Sequence, residues 1–174
     1  LKYCNHIRKS RIKYEIESSK EIFSRLINLW SHPNCSCLFF NRKSFLKVGY
    51  FDEKLKGSED HDLWFRICKK NLKIGRINKK LVRIEKYNDN QISRNFEIRK
   101  NSLNEFFKKY KKVIPSNKFD KYKKELLARA FIPVFNNSLK KHNSKYIFLS
   151  LRYLIFSKIF YKRYINYLIR KLFY

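Results

Sequence analysis

The sequence predicts an α/β region over residues 1–98 followed by an all-α extension over residues 99–174. Three observations carry this expectation. Short apolar runs without helical length occur at 35–40, 72–77 and 81–84. Segments with apolar residues at three- and four-residue spacing lie between them. From about Asn95 onward the strand-like runs cease and only helical spacing remains.

Each element has its own signal. Ile16, Ile22, Phe23, Leu26, Ile27 and Trp30 recur at helical spacing among charged residues. They predict an amphipathic helix that stops near Ser31-His32-Pro33, because proline disfavours helix at the residue before it. Cys35-Ser36-Cys37-Leu38-Phe39-Phe40 reads as a buried strand. Arg42 to Val48 reads as a short helix closed by Gly49, a residue that reaches positive φ without strain. A loop containing Gly57 then leads to Ser58, an N-cap residue, and Glu59, Asp60 and Asp62 fall in the first turn of the helix it starts. Leu63, Trp64, Ile67 and Cys68 share a face of that helix, and Asn71 marks its end. Leu72 to Ile77 and Leu81 to Ile84 alternate as two half-buried strands.

Composition narrows the class. The 174 residues hold 42 Lys+Arg against 14 Asp+Glu, a net charge of +28, with 44% hydrophobic residues and only three Gly and three Pro. Such a chain is neither a disordered polar tail nor a collagen-like or low-complexity segment. Abundant Lys, Asn, Ile, Phe and Tyr are also what AT-rich coding produces, so part of the charge is background. The rest implies attraction to an anion: nucleic acid, an acidic membrane surface or a phosphorylated substrate. With no Met and Leu1 at its start, the chain reads as the C-terminal part of a longer polypeptide. Cys4, Cys35, Cys37 and Cys68 form no disulfide framework. His32, Cys35 and Cys37 lack the paired C-x-x-C spacing of a zinc site, so the cysteines read as small apolar fillers of a cytoplasmic protein. P-loop, G-x-G-x-x-G and G-x-S-x-G patterns are absent, which leaves NTPase, dinucleotide and serine-hydrolase chemistry unsupported.

The acids are more informative than the total charge. Five of the 14, Asp52, Glu53, Glu59, Asp60 and Asp62, lie within eleven residues. The Glu59-Asp60 pair stands at a loop-to-helix junction, where a carboxylate is accessible enough to act as a general base. The plainer reading is helix-dipole complementation by first-turn acids and an ordinary i,i+4 pair between Asp62 and Arg66.

The run Gly49-Tyr50-Phe51-Asp52-Glu53, then Glu59-Asp60-His61-Asp62-Leu63 and Arg66, resembles the acceptor-side motif of family 2 glycosyltransferases, G-x-F-D-E followed by E-D-x-D-L-x-x-R. The likeness extends from Cys37-Leu38-Phe39-Phe40-Asn41-Arg42 to Ile92-Ser93, about residues 30–95. The resemblance implies the C-terminal half of a GT-A (Rossmann-like) catalytic domain over 1–98 and a basic helical extension over 99–174. It implies inverting transfer of a sugar from a nucleotide-sugar donor to a hydroxyl of a saccharide or lipid-linked acceptor in surface polysaccharide synthesis. Asp60 matches the base, Glu59 shapes the acceptor pocket or holds Asp60, and Asp62 and Arg66 support them. A divalent metal, Mg or Mn, is implied for the whole enzyme through a D-x-D upstream, not through Asp60-His61-Asp62. The nucleotide-binding half is expected upstream too, so the fragment alone is expected to be inactive. Two departures stand out. Asn88 occupies the position of a His found in many relatives. Gln91-Ile92-Ser93-Arg94 resembles the Q-x-x-R-W of processive synthases, but Asn95 replaces the Trp, which disfavours a processive polymerase.

The tail from Tyr146 to Tyr174 is apolar, yet its longest charge-free run is six residues, short of the ~20 a spanning helix needs. Lys145, Arg152, Lys158, Lys162, Arg163, Asn166 and Arg170 share one side of a helical wheel opposite Leu, Ile, Phe and Tyr. That pattern fits a helix on the inner membrane face and equally a helix packed on protein. Two other classes compete with the transferase: a basic nucleic-acid-binding module, disfavoured for want of a nucleic-acid motif, and a non-catalytic membrane-surface protein.

Overall fold

Helix α1 (Ser19–Ile27) starts later than the apolar spacing predicts, because a capping box sets its start. The Ser18 side chain accepts from the Glu21 backbone N–H, and the Glu21 carboxylate reaches back to the Ser18 N–H. Ile16 therefore lies outside the helix, in strand β1 (Tyr14–Glu17). The computed structural model describes residues 14–28, 35–77, 79–83, 91–155, 157 and 161. Trp30, Ser31-His32-Pro33, Cys4, Ile84 and Asn88 lie outside them, as does nearly all of the tail beyond Ile155.

After a 3₁₀ turn at Cys35–Cys37 come α2 (Arg42–Val48), a second 3₁₀ turn at Glu53–Leu55, α3 (Glu59–Lys69) and strand β2 (Ile74–Ile77). A third turn at Ile92–Arg94 precedes α4 (Phe96–Tyr110), α5 (Ser116–Lys140) and α6 (Ser144–Leu154). Strands β1 and β2 pair antiparallel, with Tyr14 opposite Ile77 and Glu17 opposite Ile74. The Ser19 hydroxyl donates to the Leu72 carbonyl at 2.8 Å and so fastens α1 to the segment that feeds β2.

The expected α/β Rossmann-like half-domain is not what the chain forms. The described residues hold six helices and one two-stranded sheet. The predicted strand at 35–40 is a 3₁₀ turn followed by chain without ladder partners, and 81–83 is likewise outside any strand. Periodicity cannot separate a buried strand from another short apolar segment, and a strand needs a neighbour to satisfy its backbone. Of the strand expected at 72–77, Ile74–Ile77 forms as β2, because β1 supplies that neighbour, but Gly75, Arg76 and Ile77 are exposed and the expected half-buried alternation is not seen.

Local signals for the other elements were sound. Asn41 caps α2 by accepting from the Ser44 N–H, and Gly49 closes it at φ +90°. Asn71 takes the left-handed conformation at φ 52° after α3, and the Leu72 N–H returns to the Ile67 carbonyl. His142 does the same after α5 at φ 51°, where the Asn143 N–H bonds the Ser138 carbonyl at 2.9 Å. Asn143 then caps α6.

One hydrophobic cluster runs from Ile22 of α1 to Leu154 of α6. Phe65 of α3 is its hinge: Phe23, Phe106, Tyr110 and Tyr122 all lie with ring centroids 4.6–6.3 Å from it. Helix α4 crosses residue 98, where composition changes, and buries Phe96, Leu103, Phe106 and Phe107 in the same cluster.

Candidate functional site

The candidate site is the first turn of α3 and the loop before it. Gly57 sits at φ +91°, a conformation only glycine adopts freely, and a Cβ there would lie 3.2 Å from Ile92 Cγ2. Ser58 occupies the N-cap position, as its place in the sequence predicts, but makes no side-chain cap bond; it is buried, and its hydroxyl has no partner among the described residues. Glu59 Oε2 instead accepts from the Gly57 N–H and so holds the loop before the helix.

The clustered acids divide into two sets. Asp62 is fully buried. One of its oxygens accepts from Arg66 Nε at 2.7 Å, while Oδ1 accepts from Tyr110 Oη at 2.6 Å and pairs with Lys109 Nζ at 2.7 Å. Lys109 also pairs with Asp52 at 2.7 Å, and Asp52 caps the 3₁₀ turn by accepting from the Lys54 N–H. Arg66 goes on to donate through Nη1 to the Val48 and Gly49 carbonyls, each at 2.8 Å. These are the last carbonyls of α2, which a guanidinium satisfies well. Asp62, with Arg66, is thus an interior post on which α2, α3 and α4 meet.

The second set faces outward. Asp60 keeps 26% of its side chain exposed; its Oδ1 accepts from the His61 N–H at 2.8 Å and lies 3.4 Å from His61 Nδ1. The His61 ring rests edge-on against Phe106, 5.9 Å between centroids. Arg99 of α4 comes in beside the pair and donates through Nη1 to the Gly57 carbonyl at 2.7 Å. Burial pulls the Arg99 guanidinium below its ordinary range, against the opposing charges of Asp60 and Glu59. Cys35 also lies near: burial first, then the charges of Asp60 and Glu59, push its thiol up to about 11. Burial alone pushes Cys68 to about 11. Both thiols stay protonated at neutral pH; Cys68 is buried as a filler residue would be, whereas Cys35 is half-buried and Cys37 exposed.

The structure therefore brings Glu59 and Asp60 together at one rim and moves Asp62 and Arg66 behind it. Arg99, Lys109 and Tyr110 are functional neighbours that sequence reasoning missed. They stand 42 to 57 residues from Gly57, Asp62 and Asp52, and nothing in local spacing marks them. No group of three or more His, Cys, Asp or Glu among the described residues is arranged to hold a metal ion. Glu59 and Asp60 have the Arg99 guanidinium beside them, which does not suit a divalent cation. Comparison with protein-family models, curated proteins and solved structures returns no match.

Proposed function

We propose that this chain carries the acceptor side of an inverting glycosyltransferase that builds surface polysaccharide. The reading rests on the motif and on one observation: of the acids in the first turn of α3, Asp62 is fully buried, while Asp60 keeps 26% of its side chain exposed at the rim beside Arg99. In this reading Asp60 takes the proton of an acceptor hydroxyl as that oxygen attacks the anomeric carbon. The bond to the nucleoside diphosphate breaks with its electron pair leaving on phosphate, and the configuration inverts. Glu59 holds the loop through Gly57, and Arg99 fixes the same loop from α4. The nucleotide-sugar site, with any Mg or Mn, belongs to sequence outside this chain.

No helix among the described residues is long and apolar enough to cross a membrane. The proposed location is peripheral, on the cytoplasmic face, where lipid-linked acceptors are presented. The deciding experiment is Asp60→Asn in the full-length polypeptide. Transfer should be lost while nucleotide binding persists; retained turnover refutes Asp60 as the base.

A further inference from the structure

The outward faces of the last three helices differ. On α4 that face carries Asn101, Asn104, Glu105 and Lys108, and on α5 it carries Lys121, Lys123, Lys124 and Asn136. These are polar, and exposed acids (Glu97, Asp120) accompany them; the one large apolar side chain exposed on α4 or α5 is Leu139, at 46%, near the end of α5. On α6 and its C-cap the outward residues are Lys145, Phe148, Arg152 and Ile155, a single stripe at three- and four-residue spacing. Phe148 is 70% exposed and Ile155 44%. The other side of α6 is already occupied. Ser150 and Leu154 are fully buried, and the Tyr153 ring stacks on Phe131 of α5 at 4.2 Å. The apolar arc that the sequence offers to lipid is therefore the protein-facing arc, and the cationic side is the one left open.

Two chemistries coincide on that open side. No acid follows Glu125, whereas ten Lys or Arg do, so the partner is anionic. Phe148 and Ile155 stand among the cations, so the partner also has an apolar interior within a side chain's reach. A nucleic-acid backbone offers the first without the second. An anionic phospholipid surface offers both, with headgroup charge for Lys145 and Arg152 and the acyl boundary for the two apolar side chains. We propose that α6 docks flat on an anionic phospholipid surface through Lys145, Phe148, Arg152 and Ile155. This rests on the peripheral location proposed above, not on glycosyl transfer, and it adds which face meets the lipid.

The test is co-sedimentation of the full chain with vesicles of phosphatidylglycerol and phosphatidylcholine, against phosphatidylcholine alone. Binding should require phosphatidylglycerol. Phe148→Ser with Ile155→Ser should weaken it by roughly tenfold or more. Lys145→Gln with Arg152→Gln should weaken it by roughly fivefold per cation. All four side chains are exposed, so circular dichroism and the urea midpoint should stay at wild-type values. Lys118→Gln with Lys121→Gln removes the same charge from α5 and should cost much less. Equal losses from the two charge pairs would mean that net charge alone drives binding, which overturns the stripe. Vesicle binding that survives Phe148→Ser with Ile155→Ser overturns the docking face while leaving the peripheral location standing. A wild-type chain that ignores the vesicles overturns both. So does binding to a single-stranded oligonucleotide without binding to vesicles, and so does a dimer lost on Phe148→Ser without vesicle binding.

Discussion

The helices α4 to α6 and the segment around β1, α2 and β2 are similarly rich in large apolar side chains, yet they dispose of them differently. Phe106, Phe131 and Leu154 are fully buried, whereas Phe39 is 96% exposed, Tyr50 73% and Leu81 65%. In the helical part the buried stripes face one another, α5 lies along both its neighbours, and the exposed exceptions among the described residues up to Ile155 are Val113, Leu139, Phe148 and Ile155. In the other part a two-stranded sheet offers one pairing and no second layer among the described residues. Phe40, Tyr50 and Phe51 gather round Phe45, at 5.0–6.0 Å between ring centroids, and Phe45 alone of the four is packed against the core. A side chain's apolarity gains stability only when the architecture supplies a partner surface.

Breaking the comparison starts in the helical part. Phe131→Ala, which removes a fully buried ring stacked on Tyr153, should destabilise by about 3–5 kcal/mol in urea unfolding. Asp62→Ala, which leaves Arg66 without its partner and empties the post between α3 and α4, should cost about 3 kcal/mol. Tyr110→Phe should recover part of that loss when combined with it, because the two share one hydrogen bond. Next comes Gly49→Ala. It forces a side chain to φ +90°, 3.5 Å from Arg66 Nη1, and should cost about 1–3 kcal/mol.

The Asp52–Lys109–Asp62 group predicts a pH window. The hydrogen bond from Lys109 holds the Asp52 carboxyl below its ordinary range. Stability from that depressed value is present above the unfolded value of about 3.9 and is lost as pH falls through the folded one. Burial opposes the charge on Lys109, but its bonds to Asp52 and Asp62 outweigh burial and hold the ammonium above its ordinary range. That stability is present below the unfolded value of about 10.4 and is lost as pH rises through the folded one. Burial, then Asp62, pushes the Tyr110 phenol up as well, which adds to the alkaline loss. The urea midpoint should therefore be flat between these limits and fall beyond each, and Lys109→Gln should soften both edges. The smallest effect belongs to the open part: Phe39→Ser should move stability by no more than ~0.5 kcal/mol. A large loss there would show that this surface is covered.

What the sequence disclosed follows the range of the interaction. The end of α2 at Gly49 and that of α3 at Asn71 were legible, because caps act over three or four residues, and the start of α3 at Ser58 was legible although its hydroxyl makes no cap bond. The start of α1 was also written locally, in Ser18 and Glu21, but apolar spacing through Ile16 masked it. The strand expected at 35–40 failed because pairing is a property of two segments and the run describes one. Glu59 and Asp60 were placed correctly at a helix start. That Asp62, two residues on, faces inward depends on Tyr110 and Lys109, and no local pattern reveals a contact across 48 residues.

The grip of α4 on this corner has a practical meaning for any functional screen. Asp60 and Asp62 are close neighbours of the same type, and under the proposed function loss of either would silence an activity assay. Only the second would also lower the melting temperature and release Lys109. Helix α4 sharpens the difference between the two carboxylates, and dividing the polypeptide at residue 98 would take Tyr110 and Lys109 from Asp62 and leave it Arg66 alone of its three partners.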